Sequence, residues 1–164
     1  EKPVAKYQTI MMMAKSGAVA KALIEAGYDV NKENSRNVNI LLNALRAQEL
    51  DVVKEIIKGG ANISVTDKDG NTALMYAVFN GRYDAALELV NAGANLNYKN
   101  GDEIAGGECL VSAVDANKID LVKALIAKGV DVNYVSYGDT ALSIAQDKGL
   151  TEIIKVLKDA GAKK

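Results

Sequence analysis

The sequence contains no histidine and no tryptophan, and it has only one cysteine, one proline and one phenylalanine. A single thiol, Cys109, cannot form an intrachain disulfide. Without histidine the chain cannot build the Ser–His and Cys–His pairs that activate many nucleophiles, nor a histidine-containing zinc site. Since aromatic residues make up only 5%, the core must consist mainly of Ala, Leu, Ile and Val, which favours closely packed helices over a β-sandwich.

The chain also lacks a surplus of charge. Its 164 residues carry a formal net charge of −1, and a general nucleic-acid binder or a charge-attached membrane protein would be basic. No apolar run approaches the 18 or so residues that a membrane helix needs. We therefore expect a soluble single domain that binds neither nucleic acid nor membrane. Because the sequence begins at Glu1 without Met, a cytoplasmic and an exported location both stay open.

An internal repeat is visible in five apolar segments that each end at a glycine. These glycines are separated by 33, 33, 36 and 32 residues and are Gly27, Gly60, Gly93, Gly129 and Gly161. A glycine after an apolar stretch of helical period is typical of a helix C-terminus. An acidic residue stands near the start of the four later segments, where it complements the helix dipole. The pattern predicts helices over 50–58, 83–92, 119–128 and 150–160.

A shorter helix is predicted before each of these. Thr72 and Thr140 stand where a hydroxyl can cap the first turn, and Asn39 takes the equivalent place. Gly81 and Gly149 separate the two helices of a unit. The polar stretches 64–72 and 134–140 are typical of hairpin-like loops. Because one such unit cannot bury its own apolar face, neighbouring units must stack.

The period near 33, the T-A-L-x-x-A stretches and the G-A-x-x-N endings resemble the ankyrin repeat family. The resemblance implies an all-α helix–turn–helix solenoid, one domain over 1–164 with approximate repeats 1–33, 34–66, 67–99, 100–134 and 135–164. The family's T-P-L-H-x-A line is matched in the third and fifth units, but its histidine is replaced by Met75 and Ser143. Its hydrogen bonds between neighbouring repeats must therefore be missing or replaced, and we expect a less regular stack.

Two units depart from the pattern. The first has 10 residues from Gly17 to Gly27, where the third has 12 from Gly81 to Gly93; this predicts an N-terminal cap with a shortened second helix. The fourth unit has Glu108 and Cys109 at the Thr-Pro places, after three extra residues within 100–107. Such insertions usually form loops on the binding face, so a longer loop is expected here.

Motifs for metal, nucleotide or catalytic chemistry are incomplete. Residues 67–72 begin like a calcium loop, but Val65 and Tyr76 fall at its two anchor positions. Residues 101–108 hold three glycines without the Lys-Ser/Thr ending of a phosphate loop. Cys109 is expected to be a buried, unreactive thiol. We predict no metal site, no cofactor and no catalytic residue.

The resemblance implies protein binding through the concave face, formed by the first helices and the loop tips. Aromatic residues and arginine are typical interface anchors. The candidate partner-binding residues are Arg46, Tyr76, Phe79, Tyr98, Asp115, Tyr134 and Tyr137. The tyrosines could instead only cover the loop bases. A regulatory or inhibitory subunit of one enzyme or assembly is the alternative function, an enzyme using paired carboxylates is a third, and a monomer with a protein partner is expected.

Overall fold

Short apolar segments that end at a glycine form helices along the chain. A computed structural model describes residues 10–33 and 38–163, so the predicted repeat boundaries at residues 1, 34 and 164 lie outside the described residues. The helices are α1 Gly17–Glu25, α2 Ile40–Ala47, α3 Leu50–Lys58, α4 Ala73–Phe79, α5 Tyr83–Asn91, α6 Ala105–Asp115, α7 Ile119–Ala127, α8 Ala141–Asp147 and α9 Thr151–Asp159. The strands form two antiparallel hairpins, β1 Lys99–Asn100 with β2 Glu103–Ile104 and β3 Val135–Ser136 with β4 Asp139–Thr140.

The helices form two parallel rows. The first helices α2, α4, α6 and α8 contact one another in chain order, and the second helices α1, α3, α5, α7 and α9 do the same. The hairpins pack against the first helices α6 and α8. This arrangement confirms the all-α helix–turn–helix stack. No helix within the described ranges is long and apolar enough to cross a membrane.

Buried residues recur at equivalent positions of successive helix pairs. Every first helix buries a leucine and, three residues later, an alanine; these are Leu41, Leu74, Leu110 and Leu142 with Ala44, Ala77, Ala113 and Ala145. The second helices α3, α5, α7 and α9 contribute Ile56, Leu89, Leu125 and Leu157, none of which is exposed. The small alanines let neighbouring first helices approach closely. The core is therefore continuous along the stack.

Residues with positive φ end the helices as the repeat predicted. The glycine after each second helix has a φ between 81° and 92°. Between paired helices the same left-handed conformation occurs at Gly81 and Gly149, and at Gln48 and Asn117 in the units without a glycine there. Left-handed backbone at these positions turns the chain from one row of helices to the other.

The predicted N-caps are confirmed. The Thr72 hydroxyl accepts a hydrogen bond from the Met75 amide at 3.2 Å. Thr140 accepts one from the Ser143 amide at 3.1 Å, and its own amide donates to the Ser143 hydroxyl at 2.9 Å. Asn39 caps α2 through the Leu41 amide at 2.8 Å.

The prediction of a shortened second helix in the first unit was wrong. Helix α1 has nine residues, the same length as α3 and α5. Gly17 is the first residue of α1, with Ser16 as its N-cap, whereas Gly81 lies two residues before α5. The two spacings were therefore counted from glycines that are not equivalent.

The prediction of a longer loop in the fourth unit was also wrong. The hairpin at 99–104 has the same pairing length as that at 135–140. The extra residues instead lengthen α6 to eleven residues, where α4 and α8 have seven. The added helical turn, residues 105–108, is buried.

The chain lacks the family's histidine, and asparagine side chains at other positions supply hydrogen bonds between neighbouring units. The Asn31 amide donates to the Gly60 carbonyl at 3.0 Å, and its oxygen accepts from the Asn62 amide at 2.6 Å. Asn133 binds Gly161 and Lys163 in the same way, at 3.4 and 2.8 Å. These bonds fix the spacing between units.

Removing a threonine cap should weaken the stack. We expect Thr72→Ala and Thr140→Ala each to lower the free energy of unfolding by about 1 kcal/mol, because an amide of the first helical turn loses its partner. Urea denaturation followed by circular dichroism measures the change. Thr66→Ala is the control, since Thr66 is exposed and caps no helix; equal losses in all three variants would contradict the capping role.

Candidate functional site

Three of the predicted residues form a row along the first helices. Arg46, Phe79 and Asp115 occupy equivalent positions near the ends of α2, α4 and α6, and all three are exposed. Because the first helices contact one another, such positions lie roughly 8–10 Å apart. We call the exposed side of α2, α4, α6 and α8, together with the hairpins, the first-helix face.

The members of this row differ in their solvent exposure and in whether they form ion pairs. Phe79 is 45% exposed, while Tyr76, one turn earlier, is half-buried against the core. Asp115 forms an ion pair with Lys148 at 2.6 Å on the surface. Arg46 has no ion pair within the described part of the chain. The row therefore offers an apolar ring, an unpaired guanidinium and a neutralised carboxylate.

The three predicted loop tyrosines lie near the hairpins and have different environments. Tyr98 and Tyr134 are half-buried, and Tyr98 packs against the core. Tyr137, at the tip between β3 and β4, is 92% exposed. The half-buried Tyr98 and Tyr134 are in a position to cover the loop bases, whereas the ring of Tyr137 is too exposed to do so.

A buried carboxylate connects the fourth unit to the fifth. Glu108 is only 7% exposed. The Tyr134 hydroxyl donates to its Oε1 at 2.7 Å, and the Ser136 hydroxyl donates to its Oε2 at 2.9 Å. The Tyr134 oxygen in turn accepts from the Ile104 amide at 3.3 Å. One tyrosine hydroxyl thus joins the hairpin of the fifth unit to both the hairpin and the helix of the fourth.

The added turn of α6 explains why Glu108 is placed there. In the neighbouring units the equivalent residues, Thr72 and Thr140, cap the helix. The added turn moves the N-cap of α6 back to Ile104. Glu108 therefore lies within the first turn of the helix and does not cap it. Gly107 makes room for its partner, because a Cβ atom at Gly107 would overlap the Tyr134 ring.

These residues line an open cleft of about 510 Å³ between the two hairpins. A second carboxylate, Glu103, accepts a hydrogen bond from the Tyr137 hydroxyl at 3.3 Å. Burial, reinforced by the hydrogen bond to Glu108, raises the pKa of Tyr134, and the charge of Glu103 raises the pKa of Tyr137. Both phenols therefore stay protonated at neutral pH and act as donors to the carboxylates.

Comparison with known proteins identifies the fold. The family described as ankyrin repeats (3 copies) matches residues 10–100 and 98–164. The chain belongs to the ankyrin repeat family. An ankyrin repeat domain from Acinetobacter baumannii has a similar structure, with a TM-score of 0.69 and 31% identity over 93% of this chain and 79% of that one.

A plant protein kinase shares part of the repeat. Serine/threonine-protein kinase 12 of Arabidopsis thaliana is 36% identical over 66 residues, which are 40% of this chain. The match spans only 14% of the kinase's length. Ankyrin repeats are generally protein–protein interaction modules, and the kinase match carries no activity over to this ankyrin chain.

Cys109 is a small core residue in this ankyrin stack. Its side chain is not exposed, and burial raises the pKa of its thiol far above the ordinary value. A thiol that stays protonated is a poor nucleophile. Within the described ranges, no three residues among Cys, Asp and Glu are grouped so that they could hold a metal ion.

Sequence reasoning missed Glu103, Glu108 and Ser136 as parts of this site. The available signal was a glutamate where the neighbouring ankyrin repeats have a threonine cap. That signal identifies an unusual position but not its partners, since Tyr134 and Ser136 are 26 and 28 residues away. Their approach depends on the stacking of repeats.

Glycine should be required at position 107 only because the Tyr134 ring packs against it. We expect Gly107→Ala to lower the free energy of unfolding by about 1–3 kcal/mol, because the new methyl group displaces the ring. In a Tyr134→Ala background the same substitution should be neutral or stabilise by about 0.5–1 kcal/mol, since alanine favours a helix over glycine. Urea denaturation of the four proteins measures this coupling.

Gly106→Ala is the matched control for this cycle. Its Cβ would lie 2.9 Å from the Leu96 carbonyl oxygen, which is backbone and cannot move aside. It should therefore destabilise equally with and without the Tyr134 ring. An equal cost of Gly107→Ala in both backgrounds would contradict the packing described here.

Proposed function

We propose that the chain is a non-catalytic protein-binding module whose partner contacts the first-helix face. The distribution of exposed apolar side chains carries this proposal. Among the described residues, the large apolar side chains that are exposed are Ile10, Met13, Val19, Phe79, Val135 and Tyr137. The last three lie on the first-helix face, and the others lie in the first unit. Among the second helices only α1 has one, Val19, so beyond the first unit the opposite side of the described stack lacks an apolar anchor.

The binding residues proposed are Arg46, Tyr76, Phe79, Tyr98, Asp115, Tyr134 and Tyr137. Phe79 and Tyr137 act as anchors because their rings are exposed. Tyr134 holds the two hairpins together through its hydrogen bonds, and Tyr76 and Tyr98 are half-buried against the core beside these anchors.

A rigid stack suits this function. Its helices and hairpins are formed before binding, so little conformational entropy is lost when a partner docks. A standard interface covers roughly 800 Å² on each partner, which a face of three or four units can supply. A monomer leaves this face free, and we propose that state for the unbound protein.

A non-catalytic function is favoured by the environment of the buried carboxylate. Glu108 is the one acidic residue that is buried among the described residues, and both its oxygens accept hydrogen bonds from hydroxyls. A regulatory or inhibitory subunit would use the same face and would differ only in its partner.

Affinity capture from an extract of the source organism tests the proposal. The bait is the native chain, compared with a Phe79→Ala/Tyr137→Ala variant. We expect a specific partner whose dissociation constant rises at least about tenfold in the variant, because each interface anchor contributes about 2 kcal/mol.

The control is Asn91→Ala/Lys155→Ala, which changes two exposed residues of the second helices α5 and α9. Circular dichroism must show that all three proteins fold. Equal capture by the anchor variant and the control variant would show that the partner binds elsewhere.

A further inference from the structure

The cleft between the two hairpins combines an apolar rim with carboxylates. Val135 and Tyr137 on the second hairpin are 56% and 92% exposed. Exposed apolar groups beside polar ones mark interaction surfaces. Glu103 and Glu108 line the inside of the same cleft. We call this surface the acidic cleft.

Among the described residues, no cation forms an ion pair with the carboxylates of the acidic cleft. The ion pairs of the described residues all lie elsewhere, and none involves Asp102, Glu103 or Glu108. Glu108 accepts one hydrogen bond on each oxygen from a neutral hydroxyl, whereas a carboxylate can accept about four. Acceptor capacity and negative charge are therefore both left over.

The chemistry of the cleft selects its occupant. A cation that enters gains from two carboxylates, one of them shielded from water, where charge interactions are stronger. The tyrosine rings add a surface for a planar cation. Arginine fits better than lysine because its guanidinium can bind carboxylates through two hydrogen bonds and stack on a ring. A phosphate-bearing ligand would be repelled.

We propose that the acidic cleft docks an extended basic segment of the partner protein, with an arginine side chain directed to Glu103 and Glu108. An apolar residue next to that arginine packs on Val135 and Tyr137. The inference rests on the proposed function, because it names the kind of partner that the first-helix face accepts.

A pair of peptides that differ in the charge of their arginine positions tests the charge requirement. The probe is a fluorescein-labelled peptide of sequence Gly-Leu-Arg-Leu-Arg-Leu-Gly, compared with the same peptide containing citrulline, which is neutral and of the same shape, in place of arginine. Fluorescence anisotropy measures both dissociation constants at low and high salt. We expect the arginine peptide to bind at least about tenfold more tightly than the citrulline peptide at low salt, and the difference to shrink as salt rises.

Variants of the protein locate the binding. Glu103→Gln should weaken binding of the arginine peptide by about tenfold, since a hydrogen-bonded charge pair is lost, and should leave the citrulline peptide unaffected. Glu103 is chosen because it is only partly buried, so its loss should not unfold the chain. Glu33→Gln is the control, because it removes the same charge from an exposed loop after α1.

Two results would overturn the proposal: equal binding of the arginine and citrulline peptides, or equal effects of Glu103→Gln and Glu33→Gln. Capture of the cellular partner separates this failure from that of the proposed function. If partner capture still depends on Phe79 while the peptide results are negative, the acidic cleft is refuted and the binding function stands. If both fail, both are refuted.

Discussion

The structure depends on one constraint, which is that a single helix pair cannot cover its own apolar face. On its own, each pair would expose a leucine and an alanine of its first helix and a branched apolar residue of its second; in the stack these residues, such as Leu74, Ala77 and Leu89, are buried. Only the neighbouring pair can bury them, so stability is shared across interfaces along the stack. The short alanine side chains set a close spacing between first helices. That spacing then fixes the distances between exposed residues at equivalent positions of neighbouring first helices.

The same constraint also determines which side chains stay exposed. Stacking buries the flanks of each helix pair, while side chains on the outer side of the first helices and on the hairpins can stay exposed. Phe79 and Tyr137 are exposed there as a result. The fourth unit adds a local change, because its extra helical turn brings Glu108 against Tyr134 and Ser136 of the next unit. The cleft at this junction holds Glu103 and Glu108, which take part in none of the ion pairs of the described residues.

Much of the fold could be predicted because local signals act within a few residues. The four later second helices end within one residue of the positions that the glycines indicated, and Thr72 and Thr140 cap as expected. The extra residues near 100–107 were predicted to form a loop, and nothing local shows that they extend a helix instead. The partners of Glu108 were missed because they lie one repeat further along the chain. Their contact depends on how repeats stack, which spacing alone does not specify.

Cross-saturation NMR of the complex tests the central claim, that the partner contacts the first-helix face. The partner is saturated, and loss of amide signal is measured along the ankyrin chain. The account predicts losses at residues 79–80, 99–104 and 135–140, with the second helices α3, α5, α7 and α9 unaffected. Losses concentrated on those second helices would contradict it and would place the interface on the opposite side.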